Sequence, residues 1–478
     1  MAAALASKAV GFLMIPLYTH YLSTADYGRL ELLDLTATLI SMLAGMGIGT
    51  AAMRYYYDSD DPVRGRTAIS TAFVGGMMFM GSGALLLCLC AHPIAAILLE
   101  DSHLYRLVLI QAAGLFLDGS CSIAQSYMRI RERSGLLASV SLLRLVVGLT
   151  LNIVFVAVFR LGVAGVLLGG LAGALVAFSI QSAWLVHRVG VHFHRELFWK
   201  LWRYGAPLVP SAFATFVVAY ADRFLLRTFG ELADVGVYSL AYKFGFLVQF
   251  LFIGNFHMVW DPRVFDVAKR PNAPEVFARI LTYWFAALCW GALALSLGAY
   301  EVIPHISPEP YWSARTYVWL IAAAYVLNGV RTYCTLGLLV TDRTSVVGKA
   351  MGLLSIVWIG AYALLIWKLK ALGGAIGTLL SYGGTCVVLG TLALRAYPMP
   401  IEWRRLAAVA CSSAIIYVVA VHVTLDSAVL GAVLKALLVL AYPLLLVASG
   451  FLRGEERAML HGWFERMRGR GAPPPSHV

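Results

Sequence analysis

Apolar runs of about 20 residues follow one another along almost the whole chain, and that repetition leaves it little choice of fold. A helix rises 1.5 Å per residue, so a run of that length crosses a hydrocarbon layer of about 30 Å. About fourteen such runs can be traced, at 3–22, 29–55, 67–91, 104–128, 135–159, 162–187, 202–226, 235–258, 275–299, 314–340, 346–367, 372–396, 404–424 and 430–451. The polar stretches between them, at most about 20 residues, are too short for a separate soluble domain. Only 13% of the residues are charged and 60% are hydrophobic, with a mean hydropathy of +0.78, whereas about a quarter of a soluble chain is charged. The expected fold is all-α and polytopic. The stretch at the N-terminus reads as the first span rather than as a cleaved leader.

An internal duplication divides these spans. Leu117-Asp118-Gly119 … Glu132-Arg133-Ser134 is echoed by Leu327-Asn328-Gly329 … Asp342-Arg343-Thr344, and Ala25-Asp26-Tyr27-Gly28 by Ala233-Asp234-Val235-Gly236. The near-constant offset of about 210 residues, kept in order, implies two packed lobes with a pathway between them. The expected divisions are a first lobe at 1–190, a second at 200–398, an extra helix pair at 401–452 and a cytoplasmic tail at 453–478. Turns at Arg160-Leu161-Gly162 and Lys370-Ala371-Leu372-Gly373 read as the tips of helical hairpins.

The net charge of +12 does not point to nucleic acid, because the basic residues sort into alternate loops. Arg64, Arg66, Arg129, Arg131, Arg133, Arg188, Arg195, Lys200, Arg263, Arg270, Arg343, Arg404, Arg405 and the tail form one set. Arg106, Arg160, Arg227, Arg315, Lys368 and Lys370 form the other, much smaller one. The positive-inside rule makes the first set cytoplasmic and places both termini inside. Within the tail, 455–468 reads either as an amphipathic helix on the anionic leaflet or as a solvated helix end. The seven cysteines sit in or at the edge of apolar runs and form no C-x-x-C pair, so neither a disulfide framework nor a metal site follows.

Charges inside the spans are costly and therefore candidates for function. Arg144 and Arg331 fall near mid-span. With Lys243, Lys8 and Arg54 they would make a cationic interior suited to a diphosphate. Each has a plainer reading: Arg54 snorkels to the headgroups, Lys8 lies at the membrane edge, and Arg144 or Arg331 pairs with Asp118. Asp118, whose repeat mate is the neutral Asn328, and the shallower Asp34 are ion-coupling candidates; the plainer reading of Asp118 is that it only balances a nearby arginine or caps a helix break. Asp222-Arg223 reads as a local charge pair. Tyr220 and Tyr242 are candidates for contact with a sugar. Pro16, Pro207 and Pro210 should break the first and seventh spans, and the many glycines read as close helix packing.

Several stretches resemble bacterial polysaccharide flippases of the multidrug/oligosaccharidyl-lipid/polysaccharide exporter superfamily. They are Ile15-Pro16-Leu17-Tyr18-Thr19-His20-Tyr21-Leu22-Ser23-Thr24-Ala25-Asp26-Tyr27-Gly28, Gly47-Ile48-Gly49-Thr50-Ala51-Ala52-Met53-Arg54-Tyr55-Tyr56, and Ala221-Asp222-Arg223-Phe224-Leu225-Leu226 … Gly236-Val237-Tyr238-Ser239-Leu240-Ala241-Tyr242-Lys243. The resemblance implies fourteen helices, two pseudo-symmetric six-helix lobes around a central cavity, and an extra C-terminal helix pair. It implies a flippase, not an enzyme, that moves undecaprenyl-diphosphate-linked oligosaccharide outward across the cytoplasmic (inner) membrane by alternating access, for lipopolysaccharide or exopolysaccharide synthesis. Arg54 matches the family pattern position by position, whereas Arg144 and Arg331 are placed in the cavity by depth alone. Family members usually carry extra residues before the first helix, so either the true start lies upstream or Lys8 serves in their place. Expected partners are the lipid-linked oligosaccharide, membrane lipid, and polysaccharide polymerase and chain-length machinery, with no nucleic acid. No cofactor is expected beyond a coupling H+ or Na+. The rivals are an ion-coupled multidrug antiporter, which would favour acidic cavity residues, and a membrane polymerase or ligase, which would need a larger outer loop.

Overall fold

The computed structural model describes residues 11–45, 47–57, 62–341, 343–423, 428–448 and 450–451. Lys8 and the 455–468 segment lie outside them. The described residues form helices and no strand. In chain order they are α1 (Ile15–Tyr21), α2 (Thr24–Gly45), α3 (Ile48–Tyr57), α4 (Pro62–Leu89), α5 (Ala91–Leu98), α6 (Tyr105–Ile130), α7 (Ser134–Ile153) and α8 (Gly162–Val189). The second half holds α9 (Arg195–Gly205), α10 (Val209–Phe229), α11 (Leu232–Val248), α12 (Gly254–Ala268), α13 (Ala273–Ile306), α14 (Arg315–Cys334), α15 (Leu336–Val340) and α16 (Thr344–Ala396). The last two are α17 (Trp403–His422) and α18 (Ala428–Ala448).

Among the described residues ten helices are long and apolar enough to cross a membrane, and α16 is two of the expected spans joined at Lys370, whose φ of 51° breaks the helical path. The seventh and tenth expected spans are helical too, but not among the ten; of the first, residues 11–22 are described and hold α1. The seventh carries Asp222, Arg223 and Arg227, and the tenth carries Asn328 and Arg331, which lower their hydropathy. Among the described residues the helices are thus roughly consistent with the fourteen expected runs. The two hairpin tips are tight as expected: Arg160 has φ 53° and Gly162 φ 57°.

The prolines interrupt their spans as expected. A turn at Met14 separates helical residues 11–13 from α1, in whose first turn Pro16 stands without cost to its missing N–H. Pro207 lies in the 3-10 turn Ala206–Leu208 that separates α9 from α10, which Pro210 helps to open. A further break, with no proline, occurs in the second span, where α2 ends at Gly45 and Gly47 takes φ 62°. π-helical turns interrupt the α pattern after α7, at Val154–Val158, and after α11, at Gln249–Ile253.

Glycines hold the helices together. Between α7 and α8, a Cβ on Gly169 would meet Asn152 Cα at 2.7 Å, and one on Gly173 would meet the Arg144 carbonyl oxygen at 2.9 Å. In the second half, a Cβ on Gly373 would overlap the Leu365 carbonyl, and one on Gly377 would meet the Tyr362 ring at 2.5 Å. In lipid the apolar side chains gain nothing by leaving solvent, so such close backbone approach is what packs helices. The outward side chains of the first arm of α16, Leu353, Ile356, Val357, Leu364 and Trp367, are exposed and face the hydrocarbon. Helices α17 and α18 pack on α13 and on each other. Lys435 of α18 pairs with Glu301, the Trp290 indole donates to the Val439 carbonyl at 2.9 Å, and Thr282 donates to Glu402 at 2.7 Å.

Replacing Gly373 by Ala should therefore cost about 1–3 kcal/mol through overpacking. Gly352→Ala, in the same hairpin with nothing within 4 Å of the added carbon, should be neutral or slightly stabilising. Thermal unfolding of the purified variants compares the two.

Candidate functional site

Two ends of the molecule are distinguishable by their contacts. At one, the 188–198 segment folds against α4: Ser70 donates to the Gly190 carbonyl at 3.0 Å and Phe198 stacks on Phe79 at 5.6 Å. This end gathers the Arg-rich loops. At the opposite, Arg-poor end the two halves of the chain are bolted together. Thr19 donates to the Ile306 carbonyl at 3.2 Å, and Tyr311 donates to the Leu22 carbonyl at 3.0 Å. Burial pushes the Tyr311 phenol above its ordinary range, so it stays a donor. Arg227 donates to the Leu98 carbonyl at 3.1 Å and pairs with Glu100 at 3.1 Å.

The centre of this seam is where the duplicated motif meets itself. Helices α2 and α11 pack against each other, with Gly28 against Gly236. A Cβ on Gly28 would overlap the Leu232 carbonyl, and one on Gly236 would overlap the Thr24 carbonyl. The two Ala-Asp-x-Gly segments thus sit on a pseudo-two-fold axis with no side chain between them. One turn further along, Glu31 of the first half faces Lys243 and Arg223 of the second, each at 3.9 Å. Lys243 also donates to the Tyr27 hydroxyl at 2.8 Å. Arg223 is 1% exposed. It is held by Asp222 at 3.0 Å, by the Ala219 carbonyl at 2.9 Å and by the Tyr242 ring 3.6 Å from its guanidinium carbon. Asp222 in turn accepts from Tyr238 at 2.6 Å. The Asp222-Arg223 local pair is therefore present, and it belongs to a network that reaches the other half.

Beyond the seam the first half hollows out into a cavity of about 890 Å³. Helices α1, α2, α6, α7 and α8 line it, and its polar wall contains Asp34, Gln111, Asp118, Arg144, Asn152 and Tyr18. Arg144 donates from one terminal nitrogen to an Asp118 oxygen at 2.8 Å, and its other terminal nitrogen stands 2.8 Å from the second oxygen, a close ion pair with a single hydrogen bond. Gln111 donates to Asp34 at 3.2 Å, and Asn152 donates to the Tyr18 hydroxyl at 2.8 Å. A smaller hollow of about 230 Å³ shares Tyr18, Arg144 and Asn152 and runs between α1 and α7.

The second half answers this wall with a different balance. Arg331 donates to Asn328 Oδ1 at 2.7 and 3.1 Å, and Asn328 donates to Gln249 Oε1 at 3.0 Å. Positions 118 and 328 are repeat mates that each hold an arginine, but differently: Asp118 is met by Arg144 from the next helix, and the neutral Asn328 by Arg331 three residues along its own helix. His257 bridges Asp261 at 2.8 Å and Thr332 at 3.1 Å beside it.

The sequence-selected cations are not gathered in one place. Arg144 lines the first-half cavity, and Arg331 lies in the second half. Lys243 is bound into the seam, and Arg54 lies 4.9 Å over the Tyr204 ring towards the Arg-rich end. Both ion-coupling candidates, Asp34 and Asp118, do share the cavity. Tyr242 is buried with Arg223 over its face, while Tyr220 is half-buried 5.5 Å from the same guanidinium. Glu31, Gln111 and the His257–Asp261 pair escaped sequence reading. The spacing of Glu31 and Asp34 by three residues, and of His257 and Asp261 by four, places each pair on one helix face and was the available signal.

A Gly28→Val variant should prop the seam apart. In a background without the seven cysteines, a single cysteine at Val235, fully buried beside the seam, is expected to pass from inert to reactive towards an impermeant maleimide when Gly28→Val is added. Unchanged protection would mean that the seam absorbs the side chain.

The fold is shared with solved transporters. A structure described as lipid II flippase MurJ in an inward closed conformation matches with a TM-score of 0.73 at 13% identity, covering 94% of this chain and 99% of that one. An inward-facing multidrug resistance MATE family transporter of the MOP superfamily matches at 0.63 and 14%, covering 84% of this chain and 96% of that one. An outward-facing one matches at 0.56 and 14%, covering 86% and 94%. No curated protein sequence matches the chain at a significant level. The family model described as polysaccharide biosynthesis protein matches residues 1–267, more than half of the chain. With the all-helical transporter fold around it, that match makes this multi-pass membrane protein a member of the polysaccharide biosynthesis protein family.

Proposed function

We propose that the protein is a flippase that carries an undecaprenyl-diphosphate-linked oligosaccharide from the inner to the outer leaflet of the cytoplasmic membrane by alternating access. The observation that carries this reading is the pairing of a polar cavity of about 890 Å³ with a seam that closes one end of the molecule. By the positive-inside rule the Arg-rich end is cytoplasmic, so the seam is outer and both termini are inside. The two lobes, 1–190 and 200–398, then rock about it. The diphosphate is drawn to Arg331, whose partner is neutral, and to Arg144, which can exchange Asp118 for phosphate oxygens. The sugar needs hydrogen-bond partners, which Asp34, Gln111, Asn152 and Tyr18 provide.

The polyprenyl tail needs an apolar path. A groove of about 420 Å³ between α13, α14 and α17, with Phe285, Leu293, Trp319 and Val418 among its lining, is one such surface. The 401–452 helix pair contributes a wall to it. Cell-surface polysaccharide synthesis is the setting, lipopolysaccharide or exopolysaccharide its product class, and a polymerase with chain-length machinery the recipient.

A second reading, an ion-coupled multidrug antiporter, is favoured by one observation: the cavity wall holds two carboxylates, Asp34 and Asp118, against one arginine. H+ or Na+ coupling through these carboxylates suits either reading. The two separate by the sidedness of lipid-linked sugar in spheroplasts probed with an impermeant lectin. Deletion of the gene should trap the sugar on the cytoplasmic face, the wild-type gene should restore its outward display, and Arg144→Ala/Arg331→Ala should not. Unaltered display in the double variant removes the diphosphate assignment. Normal sidedness with raised drug sensitivity in the deletion selects the antiporter.

A further inference from the structure

At the Arg-rich end of the first half, the start of α4, the turn between α6 and α7 and the end of α8 surround a separate hollow of about 230 Å³. Arg66, Arg131, Arg133 and Arg188 form its wall with His187. Its floor is aromatic: Tyr127 is 3% exposed, and Trp184 packs against it with ring centres 5.7 Å apart. No carboxylate is among the lining residues. Among the described residues, none of the four guanidiniums has an acidic partner within ion-pair distance.

Membrane orientation explains why basic residues are frequent at this end. It does not explain why four from three separate segments converge on one concavity, where like charges repel. The turn that delivers two of them is itself unusual. Glu132 takes φ 53°, a conformation uncommon for a residue with a side chain, and Arg131 and Arg133 on either side of it both reach the hollow. The fold does not require those charges. In the duplicated turn of the second half, Leu339 and Thr341 stand where Arg129 and Arg131 stand in the first.

A cluster of guanidinium forks with no carboxylate is matched to phosphate oxygens. The hollow lies where membrane helices emerge, the depth of lipid phosphates, and basic pockets between helices at that level hold anionic headgroups. The aromatic floor suits the boundary between headgroup and hydrocarbon. We infer that this hollow is a headgroup site for an anionic phospholipid of the leaflet at the Arg-rich end, with the phosphodiester among the four arginines. The site is separate from the cavity proposed for the cargo and shares no lining residue with it.

Native mass spectrometry of the full-length protein in detergent tests this, with phosphatidylglycerol, phosphatidylcholine or inorganic phosphate added. The wild type should retain phosphatidylglycerol over phosphatidylcholine. Arg131→Ala/Arg188→Ala should weaken that retention by on the order of tenfold. Arg131→Lys/Arg188→Lys should keep most of it, as should Arg263→Ala/Arg270→Ala in another Arg-rich segment. If the alanine pair fails to fold, Arg131→Gln takes its place with the same expectation. Three results would overturn the site: unchanged retention in the alanine or glutamine variant, an equal loss in the Arg263/Arg270 control, or displacement of the lipid by millimolar inorganic phosphate, which would mark a site for soluble phosphate.

Discussion

Backbone must touch backbone for this molecule to exist in lipid, and glycine is what lets it. The α7–α8 and α16 hairpins close through Gly169, Gly173, Gly373 and Gly377, and the two halves close through Gly28 and Gly236. Each contact excludes even a methyl group, so dispersion and Cα–H contacts replace the hydrophobic drive that soluble helices enjoy. The functional residues hang from this framework. Arg144 is aimed by the helix whose carbonyl Gly173 approaches, and Glu31 meets Lys243 because Gly28, one turn earlier, brings α2 against α11.

The duplicated halves share a scaffold and divide its chemistry. The Asp118–Arg144 pair is electrically neutral and its side chains remain about 40% accessible, so water screens it and its net stabilisation is small. Such a pair can open at little cost. Arg331 is held instead by Asn328, which offers it only a dipole. The buried Arg223 network differs from both: with Asp222, the Ala219 carbonyl and the Tyr242 face around it, it is a fixed part of the second half that happens to present its edge to Glu31. Removing one member of that network strands a buried charge, which is far costlier than losing a screened pair.

Helix existence was legible in the sequence because hydrocarbon thickness sets a length that composition reveals, and the loop charges then sorted the ends. The hairpin tips were legible because residues with positive φ, such as Gly162, cluster in a short gap between apolar runs. The duplication disclosed its pseudo-symmetry, yet the echo of Gly28 by Gly236 gave no sign that the two copies touch. Depth alone grouped Arg144, Arg331 and Lys243, since position along a span says nothing about which helix face turns inward in a helix of modest amphipathicity. Depth likewise offered Asp118 as a partner to Arg144 or Arg331 alike; only Arg144 takes it, and Arg331 turns to Asn328 instead. Glu31 went unnoticed because its partners stand about 200 residues away, on two helices whose neighbours cannot be read from periodicity.

The seam also fixes a mechanical ratio. From Gly28 to Gly45, α2 is a rod of about 26 Å, pinned at one end by a contact that tolerates almost no change in spacing. A tilt of about 10° about that pin displaces the far end by about 4–5 Å. The glycine contact thus acts as the short arm of a lever: motions too small to break it are multiplied at the mouth, and the width available to a passing headgroup is set by an angle at one point rather than by the softness of the walls.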